Sequence, residues 1–166
     1  MIIFGVDPGT ARMGFGVIEY DGSSSQLIEH GVLETSVDTS MPYRLRELYE
    51  QLTDLMGTHN PAVVAIEALF FARNVTTAIS VGQARGIVLL AAAMRDLAVH
   101  EYSPSEIKYS VAGYGKADKP QMQEMVRMIL GLAAVPHPDD AADAVAVAIC
   151  HAHHSSGYGA FVDARR

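Results

Sequence analysis

Asp7 closes a short apolar run, Ile2 to Val6, and leads straight into Pro8-Gly9-Thr10. Glu67 closes a second apolar run, Ala62 to Ile66, and the Ala68-Leu69-Phe70-Phe71 that follows holds no turn chemistry to explain a charge there. A third acidic site, Asp139-Asp140-Ala141-Ala142-Asp143, opens the last helical pattern. Asp140 and Asp143 are three apart, Asp139 and Asp143 four apart, so either pair shares a helix face. Spacing alone does not choose between the pairs, because Asp139 or Asp140 could equally cap the helix. Two strand-end carboxylates and an acidic helical pair form an all-oxygen donor set, the kind that Mg²⁺ and Mn²⁺ prefer.

Gathering such groups has a cost. Each close pair would be worse by ~4 kcal/mol at ~4 Å and an effective dielectric of about 20. Several such pairs rival the stability of a whole domain, roughly 5–15 kcal/mol. Protonation or bound cations must relieve that repulsion. Two divalent ions about 3.5–4 Å apart would do so, and would suit in-line displacement at a phosphodiester. Ala141, Ala142 and Ala144 predict a helix packed closely on a sheet, which would carry Asp143 toward the strand ends.

The elements that must position these groups can be read from pattern. Residues 2–6, 14–20 and about 26–34 read as three strands in meander order, with Asp21-Gly22-Ser23-Ser24-Ser25 as a hairpin loop. A helix starts at Pro42, shows Leu45, Leu48, Leu52, Leu55 and Met56 on one face, and is closed by Gly57. Strand 62–66 precedes a long apolar helix, 76–96, whose Gly82-Gln83-Ala84-Arg85-Gly86 would admit close backbone packing. Residues 99–102 form a fifth strand. Ser103, Pro104 and Glu106 make a capping box, Asp118 caps a helix reaching about Leu130, and Pro138-Asp139-Asp140 opens the last helix. The sum is an α/β domain: a five-stranded mixed sheet with helices on both faces.

At 166 residues, with 49% hydrophobic and 19% charged, the chain fits one domain over residues 1–154 and a short tail, 155–166. One cysteine, Cys150, excludes an internal disulfide and suits a reducing compartment. The N-terminus lacks a basic signal-peptide region, and the apolar run Gly86 to Met94 is too short to span a bilayer, so a cytoplasmic protein away from membranes is expected. The net charge of -7 opposes casual nucleic-acid binding. Its distribution softens the objection: residues 1–60 hold three basic and nine acidic side chains, residues 61–130 seven and six.

Read together, Gly5-Val6-Asp7-Pro8-Gly9-Thr10 with Gly14-Phe15-Gly16-Val17, Ala65-Ile66-Glu67, Gly82-Gln83-Ala84-Arg85-Gly86, Glu101-Tyr102 and Asp140-Ala141-Ala142-Asp143-Ala144 resemble, in order, the RuvC family of Holliday-junction resolvases. The resemblance covers about residues 1–154 and implies a ribonuclease H-like fold. It implies a metal-dependent endodeoxyribonuclease that resolves four-way DNA junctions in recombination and repair by paired symmetric nicks. The family's metal ligands fall on Asp7, Glu67, Asp140 and Asp143, with two Mg²⁺ or Mn²⁺ ions per active site and Asp139 left as the cap. Its lysines fall on Lys108 and Lys119, placed to contact the scissile phosphate. Its junction-stacking aromatic falls on Phe70, beside Phe71; the clustering of basic residues, not the resemblance, adds Arg73 and Lys116 as candidate DNA contacts. A homodimer and a branch-migration motor are the partners implied.

Rival readings exist. The sugar kinase and actin-like ATPase fold opens on a similar strand and Gly-Thr turn but needs two domains, which 166 residues do not supply. A junction-binding scaffold without cleavage sits poorly with an intact carboxylate set. A ribonuclease H-like nuclease acting on RNA or other branched DNA shares the whole pattern. The His151-Ala152-His153-His154 segment reads as a solvated helix end, and Cys150 as a small buried residue.

Overall fold

Side-chain alternation along the central strands decides where every later feature falls. A computed structural model describes residues 1–68 and 75–156, with backbone alone at 75 and 76. Strand β1 (Ile2–Asp7) pairs antiparallel with β2 (Arg12–Tyr20), which pairs antiparallel with β3 (Ser25–Glu34). On its other side β1 pairs in parallel with β4 (Val63–Glu67), and β4 with β5 (Ala98–Tyr102). The sheet order is β3-β2-β1-β4-β5, mixed as the sequence predicts.

Successive side chains point to opposite faces of a strand. Phe4, Val6, Val64 and Ile66 enter one core with Leu48, Leu52 and Met56 of α1 (Met41–His59) and Ala84 and Val88 of α2 (Val75–Ala93). Ile3, Val63 and Ala65 enter the other core with Val145, Ala148 and Ile149 of α5 (Asp139–Ser155), which α3 (Pro104–Ala112) and α4 (Lys119–Ile129) flank. Asp7 and Glu67, each an even number of residues on from Ile3 and Val63, therefore face α5.

Glycine makes that packing possible. A Cβ on Gly5 would stand 2.2 Å from the Ala144 carbonyl oxygen, and one on Gly14 only 1.9 Å from that of Asp140. Gly14 is the cross-strand partner of Asp7. The first turn of α5 thus lies directly on the sheet beside the end of β1, closer than any side chain on β2 would permit.

Three local expectations are corrected. Helix α1 passes through Gly57 and ends at His59, with Asn60 taking the left-handed conformation at φ 44°. Gly57 instead makes room for Arg95, whose guanidinium a Cβ there would meet at 2.6 Å and which donates to the Thr53 carbonyl. The N-cap of α5 is Pro138, so Asp139 is the first helical residue and not a cap. The capping box at Ser103 and the Asp118 cap form as expected, and Gln121 completes a box at Asp118 as well. His151 is not solvated: it is 6% exposed, and its Nδ1 is hydrogen-bonded to the Tyr102 hydroxyl, 2.7 Å away. The α5 helix meets the sheet along most of its length, so its later histidines pack against β5 and α3. Cys150 is buried and free.

Candidate active site

Asp7 and Glu67 stand at the carboxyl ends of adjacent parallel strands, and their registers place them side by side, since Val6 pairs with Ile66. Neighbouring strands run about 5 Å apart. Across from them, the first two turns of α5 present Asp140 and Asp143. The electrostatics report the convergence. Burial, then the charges of Glu67, Asp143 and Asp140, push the Asp7 carboxyl up to about 7, against a smaller pull from Lys119. Burial and Asp143 likewise raise Glu67, opposed by Lys108. Asp143 is also raised, by burial first, although the Lys119 hydrogen bond and charge work the other way.

Two cations sit on the helical pair. Arg12 donates from Nε to Oδ2 of Asp140 at 2.8 Å and lies 3.6 Å from Glu34. Lys119 donates from Nζ to Oδ2 of Asp143 at 3.1 Å and stands 3.3 Å from Oδ2 of Asp139. Lys119 is the first residue of α4, whose N-terminus is fixed by reciprocal bonds between Asp118 and Gln121. An open cleft of about 420 Å³, lined by Arg12, Lys119, His137, Pro138, Asp139 and Asp140, lies at this edge.

The sequence-derived set is thus largely reunited. Asp7, Glu67, Asp140 and Asp143 act on one another through charge, Lys119 touches Asp143, and Lys108 lowers Glu67. Lys116 is exposed between α3 and α4 and is not among the charges that shift these carboxylates. Phe70, Phe71 and Arg73 lie outside the described residues. Arg12 was not anticipated; its only signal in sequence is a cation at the start of β2, just after the turn that Asp7 enters.

Among the described residues, no three acidic, histidine or cysteine side chains close into a metal-binding cluster. The donor chemistry nevertheless fits divalent cations. The candidate ligands are all carboxylates, and a half-buried aspartate that keeps its proton to about 7 marks a place where added positive charge is favourable. Asp7, Glu67, Asp140 and Asp143 are the residues that would hold such ions.

The family model described as crossover junction endodeoxyribonuclease RuvC matches residues 3–151. The chain belongs to the RuvC family. Membership marks it as a nuclease with the ribonuclease H-like fold. A RuvC crossover junction endodeoxyribonuclease from Heliobacterium modesticaldum is 52% identical over 92% of this chain and 94% of its own. One from Desulfitobacterium hafniense is 55% identical over 92% and 93%. Among solved structures, T. thermophilus RuvC in complex with a Holliday junction substrate superposes with a TM-score of 0.90, at 35% identity, over 94% of this chain and 95% of that one. No helix among the described residues is long and apolar enough to cross a membrane.

Proposed function

We propose that this RuvC-family chain resolves four-way DNA junctions by paired symmetric nicks, with two Mg²⁺ or Mn²⁺ ions held by Asp7, Glu67, Asp140 and Asp143. The observation that carries the reading is the convergence of those carboxylates, two at adjacent strand ends and two on the first turns of α5, where burial first and their mutual charge second push Asp7 up to about 7. Bound divalent ions would relieve that repulsion, activate a water and stabilise the leaving oxygen of an in-line displacement. The protein's own groups do the rest. Asp7 and Glu67, fixed by paired backbone at strand ends, set the floor of the site. Lys119, on the capped first turn of α4, places an ammonium where a scissile phosphate would come, and Lys108 does so from the Glu67 side.

Lys116, with Phe70, Phe71 and Arg73, belongs to the proposed DNA contact. Lys116 is exposed on the α3–α4 connection, between the helices that carry Lys108 and Lys119. Two nicks at symmetric positions call for two equivalent sites, hence a homodimer. Helix α2 offers a face for it: Ile79 is 60% exposed, Leu90 49%, and Gly86 lies between them on the same helical stripe with open space at its Cβ. A cytoplasmic location and a branch-migration motor as partner complete the reading.

The test uses a synthetic four-way junction with Mg²⁺ or Mn²⁺. Asp7→Asn and Asp143→Asn should keep junction binding and lose cleavage by at least the ~10–100-fold that indirect perturbation of a metal site costs. Undiminished nicking by either variant would refute the assignment. If wild-type protein bound junctions but never cut them, the scaffold reading would replace it.

A further inference from the structure

Asp139 has no place among the proposed cation ligands, yet both of its carboxylate oxygens are engaged at the rim of the site. Gln123 of α4 donates from Nε2 to Oδ1 at 2.9 Å. Oδ2 is left toward the Lys119 ammonium, 3.3 Å away. Lys119 meanwhile donates to Asp143 at 3.1 Å, so its ammonium is bracketed by two carboxylates one helical turn apart.

The two acceptors are not equivalent. Asp143 lies deeper and shares charge with Asp7 and Glu67. Asp139 is at the outer edge, with its side chain 56% exposed. A divalent ion held by Asp143 would occupy some of its lone pairs, offset its negative charge and repel the ammonium, so the hold of Asp143 on Lys119 would weaken. The backbone at Lys119 stays fixed by the Asp118–Gln121 box, with the Tyr114 hydroxyl donating to Gln121 at 2.6 Å. Its long aliphatic stem is still free to swing into solvent.

We propose that Asp139 is a positioning residue that keeps the Lys119 ammonium beside the scissile phosphate after Asp143 is committed to a cation. Gln123 fixes the carboxylate that does the holding. The inference rests on the reading of Lys119 given above. It differs from the ordinary role of an acid in the first turn of a helix, which is to favour the helix dipole and would not involve Lys119 at all.

The experiment is a double-mutant comparison in the full-length protein. Asp139→Asn should slow single-turnover cleavage of a saturating four-way junction by roughly two- to fivefold, the scale of one exposed ion pair. Junction affinity should be unchanged or tighter, and Mn²⁺ affinity, read by electron paramagnetic resonance, should be unchanged. Asp139→Glu should recover part of the rate. In a Lys119→Ala background, Asp139→Asn should have no further effect. The same slowing in that background, a fall in Mn²⁺ affinity, or a wild-type rate for Asp139→Asn beside a slow Lys119→Ala would overturn the proposal alone. A wild-type rate for Lys119→Ala would overturn the reading of Lys119 and this proposal with it. Should Asp139→Asn melt early, Gln123→Ala supplies the same comparison, because it frees the carboxylate without removing its charge.

Discussion

Two titratable residues give this protein opposing dependences of stability on pH, and both can be measured. The Asp7 carboxyl holds its proton to about 7 when folded and releases it near 3.8 when unfolded. Between those values the folded state binds more protons, so Asp7 costs stability as pH rises, on the order of 4 kcal/mol at most. In EDTA, Asp7→Asn should therefore melt above wild type at pH 7.5 and close to it at pH 4. Mn²⁺ should raise the wild-type melting temperature far more than that of the variant. Parallel melting curves for the two proteins across this range would show that the charge is not confined as described. His151 works in the other sense. Burial, with His100 and His154 nearby, pulls it down to about 4 from 6.5, so the unfolded chain binds the extra proton and stability is lost as pH falls from 6.5 to 4. His151→Gln, which can still hydrogen-bond the Tyr102 hydroxyl, should flatten that acid limb in denaturant titrations at pH 5 and 7. An unchanged slope would exclude His151 as its source.

At the scale of elements, the site depends on how closely α5 lies on β1 and β2. Gly14 is the tightest point, with the Asp140 carbonyl oxygen 1.9 Å from where a Cβ would be. Gly14→Ala must push the first turn of α5 away from Asp7, at a cost of roughly 1–3 kcal/mol in overpacking. It should also remove the stabilisation conferred by Mn²⁺. Gly31→Ala is the control, since the nearest neighbour of its Cβ would be the Phe15 ring at 2.8 Å, in the core on the face away from α5. Wild-type Mn²⁺ stabilisation in Gly14→Ala would mean that helix placement does not set the site. The same packing explains what could and could not be read in advance. Strand ends bearing Asp7 and Glu67, the capping box at Ser103, the cap at Asp118 and the alanine face of α5 are local signals, and they are legible in the sequence. Gly57 looked like a helix end because its partner, Arg95, arrives from another helix. His151 looked solvated because nothing in its own segment reveals that Tyr102 lies above it. Arg12 and Asp139 act through residues more than a hundred and about twenty positions away, at Asp140 and Lys119 respectively, and only the fold brings those pairs together.

For the whole molecule, the unresolved tension in the sequence was a net charge of -7 on a protein that must meet DNA. The fold separates the charges by element. The nine acidic residues among the first 60 include those along α1 and the β2–β3 edge, whereas Lys108, Lys116 and Lys119 belong to α3, α4 and their connection beside the site. The acidic excess at the site is the part that divalent cations would offset. Under the proposed function each site would cut one strand, and symmetric nicks would call for a second copy whose site faces the opposite strand. The α2 stripe of Ile79, Gly86 and Leu90 lies on the helix layer opposite α5, which would leave both clefts open in a two-fold pair. Leu90→Arg places a charge at one end of that stripe without touching Asp7, Glu67, Asp140 or Asp143. It should sediment as a monomer while remaining folded. On a supercoiled plasmid with an extruded cruciform, wild-type protein should yield linear product from coupled nicks, and the variant chiefly nicked circles from single ones. Linear product from a monomeric Leu90→Arg would show that pairing of the cuts does not depend on this face.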